Sequence, residues 1–197
     1  MPTNFAIGSI FSIWKVTEKK LIGQKLGDQC NAVLVVFGPR TTAICYCEHQ
    51  DKVQEYTMFE NHWIISHDHL TIQPKAKIFS PGNTRCVSEN EEYFKACTEW
   101  MKRGMTLRYT GGLIIDVAQI FIKGQGIFAC VGSQTHKAKL RALYEVAALG
   151  FLIEKAGGKS ITNGKTSILE YVVKDYNCKL PFAVGSSEEI DLISNLF

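Results

Sequence analysis

The clearest chemistry in this sequence comes from charged residues inside an apolar stretch, residues 137–158. Glu145 stands there among Leu, Tyr, Val and Ala, and Lys139 and Arg141 shortly precede it. Apolar residues recur at helical spacing and two glycines end the stretch, which predicts one buried helix. A buried, unpaired carboxylate would cost about 3–5 kcal/mol. We therefore expect a cation to meet Glu145, either Arg141 at i−4 or a metal ion beside a phosphorylated ligand.

Two glycine-containing segments offer further contacts for a phosphate. Residues 108–112 read RYTGG, so an arginine fork and closely approaching backbone N–H groups could hold phosphate oxygens. A plain turn with a surface arginine explains the same residues. Residues 80–85, SPGNTR, pair a predicted rigid turn with another arginine, and alone they are a weak signal.

Three other patterns are set aside. Residues 158–160, GKS, resemble the end of a P-loop, but Ile153 stands where its first glycine belongs and a predicted helix precedes them. His67 and His69 lie on a polar segment without further metal ligands nearby. The seven cysteines include no CxxC pair, which favours free thiols in a reducing compartment.

Composition is that of an ordinary globular protein. The 197 residues suffice for one sizeable domain or two small ones. A net charge of +3, with basic residues spread along the chain, gives no reason to expect nucleic-acid or membrane binding. The N-terminus shows no signal-peptide pattern, and no apolar run approaches membrane-spanning length.

The order of predicted elements divides the chain into two parts. The first seventy residues read as an antiparallel meander, with strands at 5–14, 31–37, 41–47, 53–59 and 62–65. Strands and helices alternate afterwards, which predicts an α/β layer. Its predicted strands are 77–79, 106–109, 126–131, 171–173 and 182–184. Residues 113–121 suit either a helix or a strand.

Two capping boxes mark predicted helix starts in the second part. Ser88 with Glu91 would begin a helix that buries Phe94, Cys97 and Met101 and ends at Gly104. Ser186 with Glu189 would begin a last helix over residues 188–196.

Four segments in this order closely resemble the fructose-1,6-bisphosphatase and sedoheptulose-1,7-bisphosphatase family. They are KIFSPGNTR (77–85), TLRYTGGLIIDV (106–117), GIFACV (126–131) and AKLRALYEVAALGFLIEKAGG (138–158). The SPGNxR and RYTGG wording is closer to the sedoheptulose branch. The resemblance implies a layered sugar-phosphatase α/β fold, with a partial antiparallel sheet over residues 1–75 and a mixed-sheet α/β domain over residues 76–197 that binds sugar phosphate.

The resemblance also implies roles for individual residues. Glu145 matches a metal-binding glutamate, and Arg141 and Lys139 match cations that hold the substrate near the scissile phosphate and sugar ring. Tyr109 matches a ligand of the distal phosphate, and Arg108 an arginine that reaches that phosphate across a subunit interface. The remaining matches are Gly111, Gly112 and Leu113 against the sugar, and Asn83 and Arg85 in the distal-phosphate loop.

The family's chemistry is magnesium-assisted hydrolysis of the sugar 1-phosphate, in homodimers or homotetramers. Cys130 stands where fructose-specific members have a tyrosine. No Asp-Pro-x-Asp-Gly loop occurs in these residues, so the magnesium site is expected to be incomplete. We accordingly expect the C-terminal portion of a sugar bisphosphatase, weakly active or inactive alone, or else a non-catalytic sugar-phosphate-binding or subunit-interaction protein. The expected location is the cytoplasm, or a plastid or other organelle if a targeting segment precedes these residues.

Overall fold

The computed structural model describes residues 7–15, 20–162 and 166–194. Its architecture is α/β, with one five-stranded antiparallel sheet and one five-stranded mixed sheet, which confirms the fold class predicted from the sequence. No helix in these ranges is long and apolar enough to cross a membrane.

The first sheet is the predicted meander. Its strands are β1 (Ile7–Trp14), β2 (Gln29–Phe37), β3 (Thr42–Cys47), β4 (Lys52–Phe59) and β5 (His62–Leu70), paired in chain order. Alternating side chains send Leu34 and Ile44 into the core, whereas Phe11 and Ile13 remain exposed on β1. The start predicted for β1, residues 5–6, lies outside the described residues.

The second sheet is mixed. Its strands are β6 (Ile78–Gly82), β7 (Thr106–Leu107), β8 (Ile127–Cys130), β9 (Lys159–Ile161) and β10 (Phe182–Gly185), in the order β7-β6-β8-β10-β9. β6 runs parallel to β7 and β8, while β10 is antiparallel to β8 and β9. The carboxyl ends of β6 and β8 therefore meet at one edge of the sheet, where the loops after them can form a site.

Helices fill the space between the sheets and cover the second sheet. They are α1 (Glu91–Lys102), α2 (Leu113–Lys123), α3 (Ala147–Lys155) and α4 (Ser187–Ile193). α2 and α3 share one apolar core with both sheets, and α1 and α4 pack into a second core with strands of the second sheet. Short 3₁₀ helices occupy Leu26–Asp28, Glu48–Gln50, Thr84–Ser88 and Ile168–Glu170.

The helix predicted over residues 137–158 begins later than expected. Residues 138–140 have no helical structure, and a π-helical turn, Ala142–Val146, leads into α3. The reason is a tertiary pairing: the Leu180 N–H donates to the Leu140 carbonyl at 2.9 Å, and the Ala142 N–H donates to Cys178 at 2.8 Å. A partner almost forty residues away thus holds this segment extended, so Lys139 and Arg141 lie on a loop edge and not on a helix face.

Neither predicted capping box forms. The N-cap of α1 is Asn90, whose side chain accepts from the Tyr93 N–H at 2.9 Å, and Ser88 lies in the preceding 3₁₀ turn. Cys97 lies on the buried face of α1 together with Tyr93 and Trp100, whereas Phe94 and Met101 are exposed. Ser186 is the N-cap of α4 as predicted, but its hydroxyl accepts from the Gly126 N–H of the neighbouring loop and does not cap the helix. The predicted end of this helix, residues 195–196, lies outside the described residues.

Two further predictions differ from the structure, and one open alternative is decided by it. Residues 80–82 form the end of β6 and not a turn, because they pair with β8. The GKS segment set aside above begins β9, whereas the strand predicted over 171–173 is reduced to a single bridge, Lys25 with Val172. Residues 113–121, left open between helix and strand, lie in α2. The domain boundary at residues 75 and 76 stays a prediction.

Candidate functional site

Two adjoining cavities lie at the carboxyl ends of β6 and β8. The inner cavity, about 360 Å³, is lined by Asn83, Thr84, Arg85, Tyr109, Gly111, Cys130, Lys137, Lys139 and Leu140. The outer cavity, about 680 Å³, is lined by Arg85, Gly132, Ser133, Thr135, His136, Lys137, Ala138, Lys139, Lys179 and Pro181. Arg85, Lys137 and Lys139 line both cavities, so the two adjoin at these side chains and are together called the cleft.

The cleft is positively charged and lacks acidic groups. None of the residues that line either cavity is Asp or Glu. In the described ranges, Arg85, Lys137, Lys139 and Lys179 make no ion pair with a carboxylate, whereas seven other Lys and Arg residues do. Unpaired cations around a concave surface focus positive potential and attract anions.

Asn83 holds one wall of the cleft in place. Its backbone is left-handed (φ 51°), and its side-chain amide donates to the Val131 carbonyl at 2.8 Å and the His136 carbonyl at 2.9 Å. Both amide hydrogens are thereby used on the backbone of residues 131–136. What remains for a ligand from this side chain is the Oδ1 acceptor, which a phosphate cannot bond unless it is protonated.

Glu89 anchors the same wall from the far side. Its carboxylate accepts from the Thr135 N–H at 3.0 Å. Hydrogen bonds from Thr135 and Ser133 lower the pKa of Glu89 to about 2. Within the wall, the Ser133 N–H donates to the His136 carbonyl and the His136 N–H to the Ser133 hydroxyl. Residues 131–136 are therefore fixed at several points before any ligand binds.

Asp116 organises the segment that carries Tyr109. This buried carboxylate on α2 accepts from the Thr110 N–H at 2.7 Å and the Gly111 N–H at 3.1 Å. Burial raises the pKa of Asp116, and those two hydrogen bonds oppose the rise. Burial also raises the pKa of Tyr109, with smaller contributions from Asp116 and Cys130. Sequence reasoning missed Asp116, although a lone acid in LIIDV directly after two glycines was a usable signal.

Glu145 does not form the expected ion pair. Its carboxylate accepts from the backbone N–H of Arg141 at 2.6 Å, while the Arg141 guanidinium lies 5.7 Å from the centre of the Tyr144 ring. No ion pair joins the two side chains in the described residues. Glu145 is half-buried, and its charge helps burial to raise the pKa of Cys130 to about 12. The carboxylate is therefore within electrostatic reach of the inner cavity.

The structure gathers part of the set predicted from the sequence. The residues that line the inner cavity are Asn83, Arg85, Tyr109, Gly111 and Lys139. The residues that line neither cavity are Arg108, Gly112, Leu113, Arg141 and Glu145.

Arg108, Gly112 and Leu113 flank the Tyr109 segment, and Arg141 and Glu145 follow later in the sequence. The backbone of Arg108 is fixed by the Phe79 carbonyl at 2.9 Å, and its side chain is exposed. Gly112 is the N-cap of α2, and Leu113 packs against the core. Sequence reasoning did not single out Lys137 and Lys179, because isolated lysines on loops carry no pattern.

The described residues do not fit a magnesium site. No three His, Cys, Asp or Glu side chains come together in those ranges. Glu145, the one predicted ligand, is engaged by the Arg141 N–H. Magnesium requires octahedral oxygen coordination, commonly anchored by carboxylates and completed by phosphate and water. One carboxylate falls short of that set.

Comparison with known proteins finds sequences similar to most of this chain. The model of the fructose-1,6-bisphosphatase C-terminal domain matches residues 72–197. A chloroplastic sedoheptulose-1,7-bisphosphatase of Triticum aestivum is 44% identical over 189 residues, 95% of this chain and 47% of the relative. A class 1 fructose-1,6-bisphosphatase of Campylobacter jejuni subsp. doylei is 38% identical over 96% of this chain and 65% of its own length.

Solved structures share the fold. A crystal structure of a Toxoplasma gondii protein assigned to the sedoheptulose-1,7 bisphosphatases superposes with a TM-score of 0.91 at 34% identity. The superposition covers 98% of this chain and 64% of that protein. This chain spans about half the length of the plant relatives it matches.

Proposed function

The chain belongs to the fructose-1,6-bisphosphatase family, and on that premise we propose that its cleft binds the sugar and distal phosphate of a sugar bisphosphate. The observation that carries the proposal is the cleft bordered by Arg85, Lys137 and Lys139, which form no ion pair with a carboxylate in the part of the chain that the structure describes. Charge-assisted bonds from such groups are the strong contacts to a phosphate ester. The phenol of Tyr109 adds a neutral donor along the inner cavity.

The reaction proposed for the whole protein is hydrolysis of a sugar 1-phosphate ester. Water supplies the oxygen that bonds to phosphorus, the bond from phosphorus to the sugar oxygen breaks, and that oxygen takes up a proton. The substrate is sedoheptulose 1,7-bisphosphate or fructose 1,6-bisphosphate, in agreement with the names of the matched relatives. This makes the protein a phosphoric monoester hydrolase of carbohydrate metabolism.

Within this reaction, we assign the described residues to binding and orientation. Lys139 and Tyr109 hold the sugar phosphate in the inner cavity, and Arg141 lies beside Glu145 at the end where the 1-phosphate would point. Glu145 would supply one carboxylate to a metal, and its Oε2 already accepts from the Arg141 N–H. Because the described residues do not complete a magnesium site, we expect a polypeptide of these 197 residues alone to hydrolyse the substrate weakly or not at all.

Calorimetry with the 197-residue chain tests binding apart from turnover. Fructose 6-phosphate and sedoheptulose 7-phosphate are suitable probes because neither carries the scissile phosphate. We expect both to bind, and Lys139→Ala to weaken both by about tenfold or more. Lys174→Ala is the matched control, since Lys174 is exposed and lines neither cavity. Absence of binding by the folded wild-type chain would refute the proposal.

A phosphate-release assay with magnesium and sedoheptulose 1,7-bisphosphate addresses the activity of this chain. We expect little or no turnover, and turnover like that of a full-length family member would contradict the incomplete metal site.

A second candidate function is a non-catalytic sugar-phosphate-binding or subunit-interaction protein. It is favoured by a cleft that is present while the described residues hold no metal cluster. The transcript sequence upstream of Met1 distinguishes the enzyme from the non-catalytic candidate. A continuous reading frame that encodes Asp-Pro-x-Asp-Gly-Ser supports the enzyme, and an in-frame stop before Met1 supports the second candidate.

Assembly and location belong to the same proposal. We propose a homodimer or homotetramer in which the exposed Arg108 reaches the distal phosphate of a neighbouring subunit. Light scattering would measure the assembly, and Arg108→Ala should weaken binding only in the assembled form. We propose a cytoplasmic location, or a plastid if a targeting segment precedes these residues, as the chloroplastic names of the plant relatives suggest.

A further inference from the structure

We propose that the outer cavity receives the terminal phosphate of sugars longer than six carbons, with Lys179 as the residue that sets this preference. The inference rests on the proposed function, because it assumes that the inner cavity holds the sugar. It goes further by assigning a role to Lys179 and to the wall of residues 132–136.

The first observation is the shape of the cleft. The outer cavity, about 680 Å³, is larger than the inner one, about 360 Å³, and the two share three cations. A phosphate ester that extends outward from the inner cavity therefore meets no repelling carboxylate among the residues that line either cavity. Under this proposal, each additional carbon of the sugar moves its terminal phosphate toward the outer cavity.

The second observation is the set of donors around the outer cavity. Lys179 lines it without lining the inner cavity, and His136 brings an imidazole group, while the Ser133 and Thr135 hydroxyls are bonded to the Glu89 carboxylate. Lys179 makes no ion pair in the described ranges, so its ammonium group stays free for an anion. A phosphate ester, with several acceptor oxygens, fits such a group of donors.

The third observation is that the surrounding backbone is already fixed. Residues 140 and 142 are hydrogen-bonded to residues 180 and 178, with a bridge between Arg141 and Lys179. Opposite them, Asn83 and Glu89 hold residues 131–136. A site whose backbone is ordered in advance loses less entropy on binding, which favours a defined position for the phosphate.

The test compares two monophosphates that bind without turnover. Calorimetry with the full 197-residue chain should give tighter binding of sedoheptulose 7-phosphate than of fructose 6-phosphate. Lys179→Ala should weaken sedoheptulose 7-phosphate by about tenfold and change fructose 6-phosphate by less than about twofold. Lys179→Arg should keep most of the preference for sedoheptulose 7-phosphate over fructose 6-phosphate. Lys174→Ala should change neither affinity. In the described residues, the contact that residue 179 makes with the fold is a backbone bridge to Arg141, so the alanine variant should keep the wild-type unfolding temperature.

Three results would overturn the assignment. If Lys179→Ala weakens both sugars equally, or neither, the outer cavity does not discriminate between them while the proposed function stands. If the wild-type chain binds neither sugar phosphate, the proposed function itself fails.

Competition with inorganic phosphate tests whether the outer cavity binds the terminal phosphate of the sugar or a separate phosphate ion. We expect it to compete with sedoheptulose 7-phosphate in the wild-type chain. Simultaneous binding of both, with only the phosphate weakened by Lys179→Ala, would mean that the cavity serves a separate anion.

Discussion

Two groups of charged residues beside the second sheet differ in whether their charges are paired. On the side covered by α1 and α4, Glu189 is buried and accepts from Trp100 Nε1 at 3.0 Å and from both terminal nitrogens of Arg103, at 2.9 and 2.6 Å. In the cleft, Arg85, Lys139 and Lys179 have no acidic partner in the described ranges. The paired charges stabilise the fold, and the unpaired charges of the cleft remain available to a ligand.

We therefore expect the paired charges to determine the stability of the fold and the unpaired charges to determine ligand binding. A mutation in the paired group should change the free energy of unfolding and leave ligand affinity alone, and a mutation in the cleft should do the reverse. Unpaired charge collected in a cavity is also what distinguishes a functional site from a structural ion pair.

The largest expected effect falls on the paired group. Glu189→Ala leaves the Trp100 N–H buried without an acceptor and removes the partner of Arg103, so we expect a loss of about 3 kcal/mol in unfolding free energy. Denaturant unfolding measures it. Glu188→Ala, an exposed neighbour, should cost less than about 0.5 kcal/mol. Loss of sugar-phosphate affinity in a still-folded Glu189→Ala protein would break the proposed separation.

The next effect concerns Arg141. Its exposed guanidinium has no carboxylate partner in the described ranges, so Arg141→Ala should weaken fructose 1,6-bisphosphate binding by about tenfold or more while the unfolding free energy changes little. The contact to Glu145 is made by the backbone N–H of residue 141 and survives the substitution. Calorimetry without magnesium measures the affinity. Unchanged affinity would remove Arg141 from the binding set.

A smaller effect is expected at Asp116, which positions the Tyr109 segment. Asp116→Ala frees the N–H groups of Thr110 and Gly111, and we expect sugar-phosphate binding to weaken by about three- to tenfold. Asp116→Asn keeps an oxygen acceptor and should restore part of the affinity, whereas the exposed Asp175→Ala should have no effect. If the alanine and asparagine variants bind equally, the carboxylate does not act through these hydrogen bonds.

The smallest effect is a pH dependence at Glu89. The pKa of Glu89 in the folded state, about 2, lies below its ordinary value of 4.5, so its carboxylate stabilises the folded state at neutral pH. That contribution is lost as pH falls from about 4.5 toward 2. The unfolding temperature of Glu89→Gln should therefore lie below that of the wild type at pH 7, and the gap should close at acidic pH. Glu99→Gln, an exposed acid on α1, should show no such closing; a constant gap for Glu89→Gln would contradict the assignment.

Local patterns predicted much of the fold and less of the site. Alternation and turn residues placed the five strands of the first sheet, since that signal is carried within each strand. Periodicity could not place the start of the π-helical turn at Ala142, because pairing with residues 178–180 decides it. Likewise Ser88 fits the capping-box pattern, but Asn90 caps α1.

The site shows the same limit. Tyr109 and Lys139 were found through motif resemblance, and both line the inner cavity. Lys179 joins the cleft only because its segment pairs with the loop before α3, which no local pattern reveals. Asp116 was missed because its partners are backbone N–H groups, so its position as a lone acid shortly after two glycines was its one sequence signal.

The most direct test of the unpaired cleft is a crystal structure of the chain with sedoheptulose 1,7-bisphosphate at saturating concentration. We predict density for the sugar in the inner cavity beside Tyr109, one phosphate against Lys179 and the other toward Glu145. A cleft left empty under those conditions, or a ligand bound elsewhere on the protein, would contradict the account.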